Sequence, residues 1–449
     1  MNKRIVVLGG GISGYGSAIL AKKLGMDVFL SDMGAIAPEY KARLDEWGVA
    51  YEEGGHTEEL VLNATEVVKS PGIPDKAPIV KALSERGVPI ISEIEFAGRH
   101  TTARTICITG SNGKTTTTTL AYRMLREAGV NVGLGGNIGE SFAYQVATAD
   151  FDWYVLELSS FQLDGMRDFR ADVAVLANIT PDHLDRYNYS FDLYAASKMG
   201  ITRNQRPEDT FIYCADDPKT AEILPQYALA MKQLPFSVKT KPKQGAWLEG
   251  EIIRAKVGDK TLELPTSEMK IRGIHNIYNV MAAGMAAMVA GVAPQSIART
   301  VAGFEGIEHR LQSVGVVDGV EYINDSKATN VDSVWYALES MTRPVVWIAG
   351  GTDKGNNYEP LLPFVPKIKA LVCMGLNNEK LVKSFRGHVD EIHSTSSLED
   401  AMKRARRLAS AGDVVLLSPA CASFDLFQNY EHRGELFRQY VEKTMKNEE

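Results

Sequence analysis

Two short stretches of the chain combine residue types and spacing suited to holding phosphate. The first, Thr109-Gly110-Ser111-Asn112-Gly113-Lys114-Thr115-Thr116, lies between the apolar run Ile106–Thr109 and a helical pattern with Leu120, Met124, Leu125 and Ala128 on its apolar face. Successive backbone N–H groups of such a loop cradle phosphate oxygens. A lysine placed like Lys114 neutralises β/γ charge, and a hydroxyl placed like Thr115 ligates magnesium. Ile108 stands where the general P-loop pattern has its first glycine, so this loop is a tighter variant, and Gly129 supplies the helix stop.

The second stretch, Gly9-Gly10-Gly11-Ile12-Ser13-Gly14, follows the apolar run Ile5–Leu8 and opens another helical pattern, and Asp32 ends the next strand. Strand, glycine loop, helix and acid in that order make the dinucleotide fingerprint. The glycines permit a tight turn, a diphosphate approaches the helix N-terminus, and the acid meets a ribose or base. The stretch reads as a nucleotide-diphosphate site, against the alternative that its glycines only let strand and helix pack closely. It does not by itself specify NAD.

Three further side chains stand beyond the C-terminal ends of strands, where α/β proteins place their chemistry. Glu157 ends the apolar strand Trp153–Leu156 and suits a magnesium ligand, because a hard cation prefers oxygen. His183 lies in a polar loop, Asn178 to Asp185, directly after the strand Val173–Ala177. Ser190 has N-cap chemistry with Asp192 in the first turn, and Lys198 shares a face of that helix with Phe191, Tyr194 and Ile201. Periodicity leaves two readings of Lys198 open. Either its ammonium snorkels to the rim, or a partly buried amine with a lowered pKa does chemistry in its neutral form.

The elements that must position these groups are strands and helices in strict alternation. The 449 residues suggest about three domains at roughly 150 residues each. Hydrophobic residues at 45% and charged ones at 23% exclude disordered and fibrous classes. A net charge of −7 is the wrong sign for gripping nucleic acid, so no nucleic-acid partner is expected. The longest apolar stretch, Val280–Ala293, is short and broken by Gly284 and Gly291, and the N-terminal apolar run stops at Leu8. Neither membrane insertion nor a signal peptide is expected. Cys107, Cys214, Cys373 and Cys421 stand far apart without a CxxC pair, which fits a reducing cytoplasm. Apolar runs such as Val28–Leu30, Val67–Lys69, Val345–Ala349, Leu371–Met374 and Val414–Leu417 predict parallel sheets covered on both faces. The expected division is 1–92, 93–305 and 306–449. Short strands over 244–270 join the middle domain, a long helix runs from His275 to Ala290, and Ala302–Gly306 forms a hinge.

Further stretches accompany the two loops: Gly135–Gly139, Leu156–Leu163, Tyr194–Lys198, Gly273–Asn279, Glu308–Arg310, Asn324–Asn330 and Ser418–Asp425. In order and content the whole set resembles the Mur ligase family and spans essentially the whole chain. Leu156–Leu163 and the last three stretches look particular to its D-glutamate-adding members. The resemblance implies a three-domain α/β architecture: a Rossmann-like UDP-binding N-terminal domain, a central P-loop ATPase domain and a Rossmann-like amino-acid-binding C-terminal domain. It implies an ATP-dependent ligase of cytoplasmic peptidoglycan precursor synthesis with UDP-N-acetylmuramoyl-L-alanine, D-glutamate and ATP as substrates. The substrate carboxylate attacks the γ-phosphate of ATP, and the D-glutamate amine then displaces phosphate from the acyl phosphate. Excluding water from that intermediate gives domain closure a chemical purpose.

Carried over residue by residue, the resemblance assigns catalysis to Lys114, His183 and Lys198. ATP falls to Gly110, Asn112, Gly113, Lys114, Thr115 and Thr116, with Asn276, Asn279, Arg310 and Asp325. Mg2+ falls to Thr115, Glu157, His183 and Lys198, the lysine as a carbamate that turns a cation into an oxygen ligand. The UDP substrate rests its diphosphate on Gly11, Ile12 and Ser13, its uracil near Asp32, Met33, Ser70 and Gly72, and its sugar near Asn137. A basic residue is expected at the uracil edge after Asp32, where this chain has Gly34. Lys327, Thr329, Lys354, Ser423, Phe424 and Tyr430 form the D-glutamate pocket. Rival readings are another amino-acid ligase of the family, an NAD-dependent oxidoreductase, which leaves the Lys114 loop without a task, and a P-loop regulatory NTPase, which leaves the first loop unexplained.

Overall fold

Apolar strands become the interior of three sheets, in a computed structural model that describes residues 3–446 apart from the side chain of Asp185. The chain divides into two compact units. One runs to Met269 and resumes over Ile277–Gly303, and the other takes Lys270–Asn276 and the residues from Phe304 onward. The boundary at Gly303 falls inside the stretch Ala302–Gly306.

The first unit holds two of the sheets. The N-terminal sheet is wholly parallel, in the order Ala50–Glu53, Asp27–Asp32, Arg4–Leu8, Glu66–Lys69, Ile90–Ile91. Ile5, Val6, Val7 and Leu8 are fully buried, as a central strand with helices on both faces requires. Strand order reverses between Arg4–Leu8 and Glu66–Lys69. Their C-terminal ends lead into the Gly9 loop and the Ser70–Gly72 loop, the switch-point crevice where such sheets hold ligands.

The nine-stranded sheet runs Lys260–Pro265, Ile252–Val257, Gly245–Glu249, Lys232–Ser237, Thr210–Cys214, Val173–Leu176, Arg104–Thr109, Trp153–Glu157, Val132–Gly136. The strands over 245–265 pair antiparallel with one another and the rest pair parallel. Here the P-loop strand Arg104–Thr109 lies between Val173–Leu176, which leads toward His183, and Trp153–Glu157, which ends on Glu157. One hydrophobic core runs continuously through both sheets. The helix Ile12–Lys23 packs on Phe142–Thr148 so closely that a Cβ at Gly16 would collide with Ser141. Ala128 departs from expectation. The P-loop helix ends at Glu127, Gly129 adopts φ +83°, and Ala128 is exposed in the terminal turn instead of joining the apolar face.

The second unit holds a six-stranded sheet in the order Gln312–Val317, Val320–Asn324, Val414–Leu417, Val345–Ala349, Ile368–Met374, Ile392–Thr395. All pairs are parallel except the first, and separate cores cover its two faces. Strand order reverses between Val345–Ala349 and Val414–Leu417. Among the described residues no helix is long and apolar enough to cross a membrane, and all four cysteines are free and buried.

Candidate active site

Gly113 closes the P-loop and caps the helix Lys114–Glu127 with φ +78°. A Cβ there would collide with Oδ1 of Asn279, which the helix Ile274–Val289 delivers to the loop. The left-handed backbone favours glycine, and any side chain would also displace the Asn279 amide. Thr117 Oγ1 donates to the same Asn279 oxygen at 3.2 Å, so Asn279 is held against the loop. Lys114 Nζ folds back onto its own loop, donating to Gly110 O at 2.7 Å and Ser111 O at 2.9 Å. Thr115 is buried at the start of the helix, and Thr116 has a buried hydroxyl oxygen without a hydrogen-bond partner.

Lys198 is 1% exposed, which excludes the snorkelled reading. Its Nζ donates to Gly110 O at 2.7 Å and lies 4.7 Å from the centre of the Tyr194 ring. Burial, and then the nearby charge of Lys114, hold its pKa well below the ordinary lysine value against the opposing pull of Asp182, Asp164 and Glu157. Ser190 caps its helix as expected, accepting from Leu193 N–H. The helix ends at Met199, and Ile201 is buried in the short 3-10 turn that follows.

Glu157 is 1% exposed. Its Oε1 accepts from Asn137 Nδ2 at 2.8 Å, and its Oε2 is buried without a hydrogen-bond partner. A buried carboxylate oxygen left open suits a hard divalent cation. His183 adopts φ +50°, with Nε2 3.7 Å from Asp182 Oδ2 and its ring edge-on to Phe161 at 5.4 Å. Among the described residues no cluster of three His, Cys, Asp or Glu side chains is formed, so any cation here would also need ligands of other kinds.

At the Gly9 loop, Gly11 caps the helix Ile12–Lys23, and a Cβ at Gly11 would meet nothing within 4 Å. The helix N-terminus is thus open to an anion. Asp32 closes the loop from beneath, its carboxylate accepting from Gly10 N–H at 2.5 Å and Gly34 N–H at 2.7 Å. Met33 is 64% exposed, Gly72 is exposed, and the buried Ser70 hydroxyl has no hydrogen-bond partner. The Ser13 hydroxyl bonds to Glu93, a buried carboxyl that also accepts from Ser141 Oγ at 2.5 Å and Ala143 N–H at 3.1 Å. Burial raises the pKa of Glu93 despite those donors. Tyr15 and Arg43 both bond to Glu140, three residues past Asn137, and Arg43 lies over the Tyr15 and Tyr144 rings. Burial pushes the Glu140 carboxyl up, but the bonds from Tyr15 and Arg43 outweigh it and hold its pKa below the ordinary value. These contacts tie the helices Ile12–Lys23 and Pro38–Glu46 to the loop that carries Asn137, and sequence patterns give no sign of them.

In the second unit, three adjacent parallel strands end on the residues assigned to D-glutamate and part of the nucleotide. Val320–Asn324 leads to Asp325, Lys327 and Thr329, Val414–Leu417 to Ser423 and Phe424, and Val345–Ala349 to Lys354. Asp325 accepts from Ser418 Oγ at 2.7 Å and Leu311 N–H at 3.2 Å, and burial raises its pKa to about 7. Lys327 Nζ lies 5.3 Å from the Tyr430 ring centre, Ser423 is buried, and Lys354 and Phe424 are exposed. Beside these loops opens a cleft of about 590 Å³, lined among others by Gly350, Asp353, Asn378, Lys380, Cys421 and Asp425. Asn276 donates to Arg272 O at 2.7 Å. Burial, with the charge of Arg310, lowers the His275 pKa to about 4.

Arg433 escaped the sequence reading. It is wholly buried and donates to Ser326 Oγ at 2.9 Å, Ser326 O at 2.7 Å and Cys421 O at 3.4 Å, joining the two loops that carry Lys327 and Ser423. Its spacing to Phe437 and Val441, four and eight residues on along one helix face, was the available signal.

Fold and site together define an α/β protein with two glycine-rich strand–loop–helix turns of a form suited to phosphate. The chain belongs to the Mur ligase family, whose members are ATP-dependent ligases. The MurD-like N-terminal domain of Mur ligases matches residues 3–92, the Mur ligase middle domain 108–287, and the Mur ligase glutamate ligase domain 309–421. The chain is similar to UDP-N-acetylmuramoylalanine–D-glutamate ligase of Christiangramia forsetii, at 51% identity over 98% of this chain and 99% of that protein. The protein of the same name from Bacteroides fragilis is 52% identical over 98% of this chain and 99% of its own. Among solved structures, UDP-N-acetylmuramate-alanine ligase of Thermotoga maritima shares the fold with a TM-score of 0.63 at 18% identity, covering 99% of this chain and 100% of that one.

Proposed function

We propose that this chain forms an amide bond between UDP-N-acetylmuramoyl-L-alanine and D-glutamate, driven by ATP, in peptidoglycan precursor synthesis. The observation that carries the reading is the likeness, over 98% of the chain, to relatives named for that reaction. The two phosphate loops support it, since the reaction needs a nucleotide-sugar and ATP held on one chain. An oxidoreductase would leave the Lys114 loop idle.

The acyl carboxylate of the UDP substrate attacks the γ-phosphorus of ATP, the bond to ADP oxygen breaks, and an acyl phosphate results. The amine of D-glutamate then attacks the acyl carbon, phosphate leaves, and the amine proton passes to solvent or base. The protein contributes position and charge. Gly110, Asn112, Gly113, Lys114, Thr115 and Thr116 receive the ATP phosphates. Asn276, Asn279, Arg310 and Asp325 hold the rest of the nucleotide. Gly11, Ile12 and Ser13 take the UDP diphosphate, Asp32, Met33, Ser70 and Gly72 the uracil, and Asn137 the sugar. Lys327, Thr329, Lys354, Ser423, Phe424 and Tyr430 take D-glutamate, whose two carboxylates call for cations and hydroxyls. The domains are 1–92, 93–305 and 306–449.

Thr115, Glu157, His183 and Lys198 would hold Mg2+, which supplies charge stabilisation of the transferring phosphoryl oxygens when bound. The open Glu157 Oε2 supports this assignment. Lys198 joins the set as a carbamate. Its neutral amine adds to carbon dioxide, forming an N–C bond and releasing one proton, and a buried lysine with a depressed pKa is suited to that.

The test is ADP release from ATP with UDP-N-acetylmuramoyl-L-alanine, offering each amino acid and both enantiomers of glutamate. The reading expects release with D-glutamate alone. Release with L-alanine or L-lysine instead would assign a different ligase, and hydride transfer with NAD(P)H would end the ligase reading.

A further inference from the structure

Asn178 leaves the C-terminal end of the strand Val173–Leu176, which is paired with the P-loop strand Arg104–Thr109. Its side-chain amide bonds to both backbone groups of Asn112. Asn112 N–H donates to Asn178 Oδ1 at 2.9 Å, and Asn178 Nδ2 donates to Asn112 O at 3.0 Å. A planar primary amide offers an acceptor and donors side by side, so it reproduces the two-way pairing one peptide makes with another. Neighbouring contacts run the same way. Ser111 N–H donates to Asn178 O at 3.1 Å, Thr180 N–H donates to Ser111 Oγ at 2.9 Å, and Ser111 Oγ donates to Thr180 O at 2.8 Å. The parallel ladder thus continues beyond its last regular pair as a zipper between two loops, one leading to Lys114 and the other to His183.

We propose that Asn178 is a positioning residue that holds the P-loop in register with the His183 loop, so that the donors to the ATP phosphates and the His183 side chain are presented together. This rests on reading Gly110–Thr116 as the ATP site. A phosphate loop binds through the directions of its peptide N–H groups, so rotation of the Asn112 peptide redirects every donor that follows it. Gly113, at φ +78°, is the joint with the freedom to allow that rotation. The Asn178 amide removes the freedom by fixing the peptide immediately before it. With its amide engaged by Asn112, the side chain acts through the loop and not on the nucleotide.

The experiment compares full-length parent, Asn178→Ala and Ser111→Ala by equilibrium ATP binding without acceptor, by steady-state kinetics in ATP and D-glutamate, and by melting temperature. Losing two hydrogen bonds should weaken ATP use, as kcat/KM, by about 30-fold in Asn178→Ala. The KM for D-glutamate should stay at the parent value. Ser111→Ala, which removes both Thr180 contacts and the 3.0 Å bond between Ser111 Oγ and Tyr194 Oη, should weaken ATP in the same selective way, and the double variant should lose less than the product of the two single effects. ATP binding at the parent level in Asn178→Ala, or equal losses for ATP and D-glutamate, would overturn the proposal. If Asn178→Ala does not fold, the ATP-against-D-glutamate split in Ser111→Ala decides. A parent that releases no ADP in response to D-glutamate would end the ligase reading, while the ATP-binding comparison would still decide the role of Asn178.

Discussion

Lys114 and Lys198 donate to one and the same backbone oxygen, that of Gly110, each from 2.7 Å. The two lysines are distant in sequence and arrive from different helices, one at the rim of the loop and one buried beneath it. Two ammonium groups on one carbonyl repel each other, and the buried one yields, because it has no water to stabilise its charge. The arrangement leaves Lys198 disposed to be neutral.

Lys198→Gln keeps a polar side chain but cannot become a carbamate. We expect it to fold and bind ATP while kcat for ligation falls about 100-fold or more, the scale of losing a preorganised charge-stabilising group. Density at high resolution should show a planar extension on Lys198 of the active parent. Near-parental turnover of the variant would return Lys198 to a purely structural role.

Gly113→Ala places a Cβ at φ +78° and against Asn279 Oδ1. The variant should lose about 1–3 kcal/mol of stability by urea unfolding. Adding Asn279→Ala should recover only the part due to the collision, because the backbone strain remains. Full recovery in the double variant would show that the positive φ costs nothing.

Asp325 should set a pH dependence of stability. Its folded pKa is raised from 3.8 to about 7, so the folded chain holds this proton more tightly than the unfolded chain does. Across that window stability falls as pH rises, by on the order of 4 kcal/mol for this group. Asp325→Asn removes the titration while keeping an acceptor for Leu311 N–H. Its stability relative to the parent should therefore climb between pH 4 and pH 7 in the absence of nucleotide. A difference that stays flat would mean that the carboxyl ionises normally.

Lys354→Ala should raise the D-glutamate requirement by roughly 10- to 100-fold, the equivalent of one charge-assisted hydrogen bond. The ATP requirement should stay near that of the parent. Equal effects on both substrates would move Lys354 to the nucleotide site.

Local sequence determined the parts that repeat a simple physical rule. Apolar runs such as Ile5–Leu8, Ile106–Thr109 and Val345–Ala349 became central strands because a strand covered on both faces must be apolar at every position. Glycines marked both phosphate loops because only they accept those turns, and Ser190 capped its helix because an adjacent hydroxyl reaches the free N–H groups. Edge strands were less legible. Ala50–Glu53 is largely polar because it lies at the sheet margin, and Val132–Gly136 is rich in glycine where side chains from Gln145 and Tyr154 press on its backbone.

Tertiary structure alone decided what the buried charged and amide side chains do. Helical spacing put Lys198 on an apolar face but left two readings open, and the choice fell to Gly110, whose carbonyl accepts from its Nζ, and to Tyr194, whose ring lies against it. Arg433 gains its partners from Ser326 and Cys421, on loops brought together by neighbouring strands of one sheet. The pairing of Asn178 with the Asn112 peptide exists only because two strands distant in the chain lie side by side. Hydrophobic periodicity is a property of a short segment, whereas the burial and pairing that set a charge belong to whichever segments the fold brings around it.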